Sequence, residues 1–78
     1  MTTVKVKYLG LSREVGIKEE IVQFDGTDYA SLRATLFGKY QPLTYTPALC
    51  LKDGYPMNPE TKLKDGDEVV LVAQIGGG

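Results

Sequence analysis

Histidine is absent from this sequence of 78 residues, and Cys50 is its only cysteine. Because histidine is the usual general base and the commonest metal ligand, its absence argues against triad hydrolysis and against histidine-based metal sites. A single cysteine can form neither an internal disulfide nor a zinc or iron–sulfur ligand set. We therefore expect this chain to have no catalytic group of its own, no metal site and no bound cofactor.

Strong net charge and long apolar segments are also lacking. Nine basic and ten acidic residues give a formal net charge of −1, so no overall basic field would attract nucleic acid or an anionic membrane. No hydrophobic signal segment follows Met1, and no stretch is long enough to cross a bilayer. The sequence thus predicts a cytoplasmic protein that contacts neither nucleic acid nor membrane.

Cys50 itself has two interpretations. A persulfide relay would need an accessible thiol with a lowered pKa. Its neighbours Leu49 and Leu51 are apolar, and the chain has no histidine to assist. We therefore favour a structural cysteine over a relay.

The first part of the chain has the alternation of a strand hairpin. Val4, Val6 and Tyr8 alternate with lysines, which is the period of a half-buried strand. A second alternating run covers residues 20–24, and the irregular segment between the two runs predicts a turn. The chain length suits one small domain.

A helix is predicted to follow this hairpin. Thr27 and Asp28 are both good helix caps, and Gly38 suits the end of the helix. The apolar residues that fall near the spacing of one helical face are Tyr29, Leu32, Leu36, Phe37 and Tyr40.

The rest of the chain predicts further strands. A proline-containing loop over residues 41–47 precedes Leu49 and Leu51, which alternate with Cys50 and a lysine. Residues 55–57 suit a short edge strand because prolines limit them. Residues 68–73 are strong strand formers that run on toward the glycines at the end of the sequence.

This order of elements predicts an α+β fold with β-grasp (ubiquitin-like) architecture: a mixed sheet of four to five strands with one main helix packed across one face. The final strand can pair in parallel with the first, at the centre of the sheet. We expect residues 1–75 to form this domain. The remaining residues, Gly76, Gly77 and Gly78, are expected to form a flexible C-terminal tail, because glycine adopts many backbone conformations with little steric penalty.

Three segments resemble the MoaD and ThiS group of ubiquitin-like sulfur carriers. They are the Ser-Arg-Glu-Val-Gly run at residues 12–16, the Leu-Lys-Asp-Gly-Asp-Glu-Val run at residues 63–69, and the terminal Gly77 and Gly78. The Arg-Glu segment is more similar to MoaD, the small subunit of molybdopterin synthase, than to ThiS. Archaeal small modifiers and the eukaryotic ubiquitin-related modifier resemble the same group, so the pathway stays open.

The resemblance implies that the carboxyl group of Gly78 is the reactive group. An activating enzyme of the MoeB or ThiF type would adenylate it with ATP and magnesium, and a persulfide-derived sulfur would convert it to a thiocarboxylate. Gly76 and Gly77 would thread the active site of that partner. The sulfur acceptor would be an enzyme such as the large subunit of molybdopterin synthase, which makes molybdenum cofactor biosynthesis the favoured pathway.

A tail of this kind needs a docking surface, because ordering each residue costs about 1 to 2 kcal/mol of backbone entropy. If alternate residues of the last strand face the helix, Val70 and Val72 project from the other face of the sheet. We expect them to form an apolar docking patch, with Lys5 and Lys7 as a basic margin and Ile75 at the start of the tail. The alternative is that the central strand is simply apolar on both faces or covered by a loop.

Two other functions remain possible from the sequence. A ubiquitin-like modifier would be joined through Gly78 to lysines of target proteins. A plain β-grasp module would bind a partner without covalent chemistry, and its glycines would then be incidental.

Overall fold

A five-stranded sheet organises the protein, and the computed structural model describes residues 1–74. The sheet has the strand order β2-β1-β5-β3-β4. In chain order the elements are β1 (Thr2–Leu9), β2 (Glu19–Phe24), α1 (Tyr29–Lys39), a 3-10 helix (Gln41–Thr44), β3 (Ala48–Lys52), β4 (Tyr55–Pro56) and β5 (Glu68–Ala73).

The pairing of the strands explains why β5 lies at the centre. β1 and β2 form the predicted antiparallel hairpin, and β1 also pairs in parallel with β5, where Val6 lies opposite Val69. On its other side β5 is antiparallel to β3, and β4 is the short edge strand. The predicted parallel pairing of the last strand with the first is therefore confirmed.

The α-helix begins where the capping residues predicted it. The carboxylate of Asp28 accepts hydrogen bonds from the backbone N–H of Ser31 at 3.0 Å and from its hydroxyl at 2.8 Å, which satisfies an N-terminal donor of the helix. The prediction for the other end is wrong. Gly38 lies inside the helix, which ends at Lys39 with Tyr40 as its C-cap.

One face of the sheet is covered and forms the core together with the helix. Leu32 and Leu36 of α1 are buried, and alternate residues of the strands are buried with them. The buried strand residues include Val4, Val6 and Tyr8 of β1, Val22 and Phe24 of β2, Cys50 of β3, and Val69 and Leu71 of β5. No helix within residues 1–74 is both long and apolar enough to cross a membrane.

The predicted loop between the helix and β3 contains the 3-10 helix. Pro42 lies in its first turn, where proline is tolerated because the backbone N–H there has no helical partner. Leu43 is 2% exposed and joins the core. Two hydrogen bonds to the carbonyl of Pro42 hold the residues that follow: the backbone N–H of Tyr45 donates at 3.3 Å and the hydroxyl of Thr46 at 2.7 Å. This segment is therefore a braced connection.

Candidate docking face and tail base

The two faces of β5 differ sharply in burial. Val69 and Leu71 are buried on the covered side, whereas Val70 and Val72 are half-buried on the opposite side of the sheet. A strand with one solvated face usually carries polar residues on that face. Two adjacent valines there form an apolar strip at the centre of the sheet.

Neighbouring strands widen this strip. Paired residues of a sheet point to the same side, and Val72 lies between Leu9 of β1 and Leu49 of β3. These two leucines are 53% and 37% exposed. Val70 lies opposite Leu51 of β3, which is half-buried. We call these five residues (Leu9, Leu49, Leu51, Val70 and Val72) the open-face patch.

The lysines expected beside the patch are paired with carboxylates. Lys7 lies opposite Val70 in the sheet, and its ammonium is 3.1 Å from Glu68. Lys5 lies opposite Glu68, one step further from the patch centre, and its ammonium is 3.3 Å from Glu19. Each positive charge at this margin thus has a negative charge beside it, so the pairs together carry little net charge.

The end of β5 is held from one side by the chain before β3. The backbone N–H of Gln74 donates a hydrogen bond of 3.0 Å to the carbonyl of Pro47. Gln74 and Pro47 also line a groove of about 370 Å³ between α1, the 3-10 helix and the end of β5. The predicted tail residues Gly76, Gly77 and Gly78, and Ile75 before them, lie outside the described residues.

The other side of the β5 end is approached by the turn after β1. Gly10 has φ +72°, a conformation that side chains disfavour, and a Cβ placed on it would be 3.2 Å from the Cβ of Ala73. Only glycine fits this turn without strain or displacement. The turn continues into the segment that resembles MoaD, where the backbone N–H groups of Glu14 and Val15 donate to the carbonyl of Leu11. This motif segment therefore begins beside the end of β5.

The other internal motif lies at the opposite end of β5 and braces a turn. The carboxylate of Asp65 accepts a hydrogen bond of 2.8 Å from the backbone N–H of Thr3. Asp67 accepts one of 3.0 Å from Lys64 N–H and lies 3.5 Å from the ammonium of Lys52. Gly66 has φ +90°, as the turn requires. Asp65 and Asp67 thus hold the turn in place before β5.

Cys50 is a core residue. Its side chain is 4% exposed, and burial raises the pKa of its thiol to about 11 in spite of an opposing hydrogen bond with Tyr29. A thiol of this kind is protonated at neutral pH and is a poor nucleophile. This supports the structural interpretation. Within residues 1–74, no group of three or more cysteines and carboxylates is placed to hold a metal ion.

A polar cluster that the sequence analysis missed joins the hairpin to the end of the helix. The carboxylate of Glu20 accepts hydrogen bonds from the hydroxyls of Tyr8 and Tyr40, at 2.5 and 2.6 Å, and from the ammonium of Lys39 at 2.6 Å. Burial alone would raise the pKa of Glu20, but the bonds from Lys39, Tyr40 and Tyr8 outweigh it, so the pKa lies below its usual value. The alternation of β2 could have predicted that Glu20 points into the protein, because Glu20 lies on the same side of the strand as the buried Val22 and Phe24.

Comparison with known proteins places the chain in a family. The sequence profile of the ThiS family matches residues 6–78. The chain belongs to the ThiS family. This is the group of small ubiquitin-fold sulfur carriers that the three sequence segments resemble. No curated protein sequence matches the chain at a significant level.

Solved structures of other proteins share the fold. A Pyrococcus furiosus protein provisionally described as molybdopterin converting factor subunit 1 superimposes with a TM-score of 0.85 at 20% identity, covering 96% of this chain and 100% of its own. Small archaeal modifier protein 1 of Methanosarcina acetivorans gives a TM-score of 0.80 at 24% identity, with 100% and 98% covered.

A third structure is a complex of subunits 1 and 2 of the molybdopterin-converting factor from Helicobacter pylori. It gives a TM-score of 0.71 at 24% identity, covering 99% of this chain and 100% of the matched chain. At these identities the likeness establishes the fold, and it confirms the predicted β-grasp architecture, a mixed sheet of four to five strands with one main helix.

Proposed function

We propose that this ThiS-family protein is a sulfur carrier whose Gly78 carboxyl group is adenylated and then converted to a thiocarboxylate. The observation that carries the proposal is the family match, which extends through residue 78. The protein would be a consumed and regenerated substrate with no catalysis of its own. The core position of Cys50, its one thiol, agrees with this role.

The chemistry requires activation because an ionised carboxylate is a poor electrophile. In the proposed first step a carboxylate oxygen of Gly78 attacks the α-phosphorus of ATP, and pyrophosphate leaves. The terminal sulfur of a persulfide then attacks the acyl carbon, and AMP leaves. This leaves the acyl group joined through a disulfide to the thiol that carried the persulfide. A second thiol attacks the sulfur of that carrier, forms a new disulfide with it and releases the thiocarboxylate. ATP, magnesium and the thiols all belong to partner proteins in this proposal.

The open-face patch is the surface we assign to docking of the activating enzyme, with Val70 and Val72 at its centre and Ile75 leading into the tail. Its leucines and valines offer apolar area that a partner can remove from water, which is favourable by roughly 25 cal/mol per Å². Lys5 and Lys7 lie at its margin as salt-bridged pairs. They would therefore give orientation more than affinity.

A large synthase subunit is the proposed sulfur acceptor, with molybdenum cofactor biosynthesis as the pathway. Support comes from the Helicobacter pylori structure, in which a protein of this fold is found with subunit 2 of the molybdopterin-converting factor. A glycine tail suits such a transfer because it has no side chains to obstruct a narrow active-site channel.

Activation can be tested by ATP–pyrophosphate exchange with a MoeB- or ThiF-type enzyme. We expect exchange with the full chain and none after deletion of Gly78 or after extension of the chain by one residue beyond it. Gly54→Ala serves as a control for loss of stability, because Gly54 has φ +84° in the exposed turn between β3 and β4. This turn follows the end of β3 that pairs with Val69, away from the Gln74 end of β5. Equal exchange with the full and truncated chains would contradict the proposal.

The second candidate is a ubiquitin-like protein modifier. The similarity to the small archaeal modifier protein of Methanosarcina acetivorans favours it. The activated acyl group of Gly78 would then pass to a lysine amine of another protein, and AMP would leave. Glycine remnants on lysines in digested cell extract would support this function. A plain binding module would instead keep its partner after removal of residues 76–78.

A further inference from the structure

The chain is restrained from both sides at Ala73, the last residue of β5, and at Gln74, which follows it. On the β3 side, the backbone N–H of Gln74 donates to the carbonyl of Pro47 at 3.0 Å. On the β1 side, the turn at Gly10 lies against Ala73 so closely that an added Cβ would meet its side chain at 3.2 Å. We call this arrangement the tail anchor.

The acceptor in this anchor is itself rigid. Pro47 has a fixed φ because of its ring, and the residues before it are held by the Tyr45 and Thr46 hydrogen bonds to the carbonyl of Pro42. The 3-10 helix that contains Pro42 inserts Leu43 into the core. The position of the Pro47 carbonyl is therefore set by the folded domain.

We propose that the tail anchor positions the Gly78 carboxyl group for adenylation, through the backbone N–H of Gln74, the carbonyl of Pro47 and the turn at Gly10. This inference rests on the proposed function. Four residues follow Gln74, and fully extended they reach at most about 13 to 14 Å. The place where Gln74 is fixed therefore determines which points a carboxylate can reach while a partner holds the open-face patch.

The anchor matters because a freed residue must be ordered again during the reaction. If the backbone of one more residue must be ordered to reach the reactive arrangement, the equilibrium constant for forming that arrangement falls by roughly fivefold to thirtyfold. Val72 of the open-face patch lies two positions before Gln74. If the anchor is released, Gln74 also becomes free to move, and the segment that must be ordered between the patch and the carboxylate becomes longer. Docking itself would be unchanged. The cost falls on the reacting geometry.

The first test compares Gln74→Pro with Gln74→Ala. Proline removes the backbone donor, whereas alanine keeps it, and the Gln74 side chain is exposed. With a MoeB- or ThiF-type enzyme, we expect the proline variant to lose up to about fivefold in kcat for ATP–pyrophosphate exchange, because the fixed φ of proline offsets part of the lost order. KM should be unchanged. The alanine variant should match the parent. When each variant is added as a competitive inhibitor of exchange with the parent chain, both should have the same inhibition constant, because docking is unchanged.

The second test uses Gly10→Ala and Gly16→Ala, in case the proline variant is poorly folded. Both glycines have positive φ, at +72° and +90°, so alanine is strained at each, but a Cβ at Gly16 meets nothing within 4 Å. Both variants should lose thermal stability, Gly10→Ala the more because of its added contact with Ala73. At a temperature where both are folded, a lower kcat is expected for Gly10→Ala alone.

The outcomes separate the two proposals. If the parent chain supports no exchange with any activating enzyme, the proposed function fails. If the parent is active but Gln74→Pro equals Gln74→Ala, and Gly10→Ala equals Gly16→Ala, the tail anchor is wrong while the carrier function stands. A rise in KM instead of a fall in kcat would also overturn the anchor, because it would place these residues in docking.

Discussion

The covered and open faces of the sheet carry similar apolar residues in very different surroundings. On β5, Val69 and Leu71 pack under the helix, whereas Val70 and Val72 stand half-buried on the other side. On β2 the usual polarity is reversed, because Ile21 is 64% exposed on the open face while Glu20 turns inward. The covered face thus maintains the fold, and the open face leaves apolar area exposed.

The largest effect is expected from truncating the covered face. Leu71→Ala leaves a cavity in the core beneath α1 and should lower the free energy of unfolding by about 2 to 5 kcal/mol. Leu49→Ala makes the same change on the open face, where the side chain is already 37% exposed, and should cost less than about 1 kcal/mol. Chemical denaturation of both variants measures the difference, and equal losses would remove the distinction between the faces.

The polar edge of the covered face should give a pH-dependent effect. The folded-state pKa of Glu20 is lowered from its ordinary value of 4.5. Its cluster therefore stabilises the fold above that value, and this stabilisation is lost as the pH falls through the folded pKa. Glu20→Gln should lower the free energy of unfolding at pH 7 by about 1.5 to 3 kcal/mol and flatten its decline in acid.

The neighbouring residue provides the control for this prediction. Glu19→Gln changes an exposed carboxylate on the open side of the same strand, which pairs with the ammonium of Lys5. Its effect at pH 7 should stay below about 1 kcal/mol. A Glu20→Gln variant with the same acid profile as the parent would show that the cluster does not stabilise the folded state.

Docking should depend on the open-face patch and not on every exposed apolar residue. Val72→Asp puts a charge into the patch and should weaken binding of an activating enzyme at least about tenfold, equivalent to about 1.4 kcal/mol. Ile21→Asp is the matched change on β2, two strands away from β5, and should have little effect. Titration by calorimetry would test both, and equal losses would mean that the patch is wrongly placed.

The smallest effect is expected at the charged margin. Lys7→Ala breaks an exposed pair with Glu68, and such pairs contribute up to about 1 kcal/mol. We expect a slower association with the activating enzyme that becomes indistinguishable from the parent at high salt. Association rates measured at two ionic strengths check this. A loss of affinity that persists at high salt would contradict this, because it would show that Lys7 contributes to the stability of the complex and not only to its rate of association.

Alternation and capping made much of the fold predictable. A period-two pattern located β1, strand-forming residues located β5, and the candidate caps Thr27 and Asp28 located the start of the helix, because these signals arise within a few neighbouring residues. The helix end was misplaced because a glycine favours but does not require a stop, and Lys39 continues the helix into contact with Glu20.

Features that join distant parts of the chain were not predictable. The cluster around Glu20 and the tail anchor each bring together residues far apart in sequence, such as Gly10 with Ala73 and Pro47 with Gln74. Burial parity could have indicated that Glu20 points inward, but its partners depend on the three-dimensional arrangement. The central position of β5, in contrast, followed from the order of the elements.

The central claim is that Gly78 carries sulfur, and the intact mass of the protein tests it most directly. After incubation with a MoeB- or ThiF-type enzyme, ATP, magnesium, a persulfide donor and a reducing thiol, the mass should rise by the difference between one sulfur and one oxygen atom. Fragmentation should place that change at Gly78. A known ThiS-family carrier with its own activating enzyme serves as the positive control. If that carrier is converted and the mass of this chain stays unchanged with every candidate enzyme, the account is contradicted.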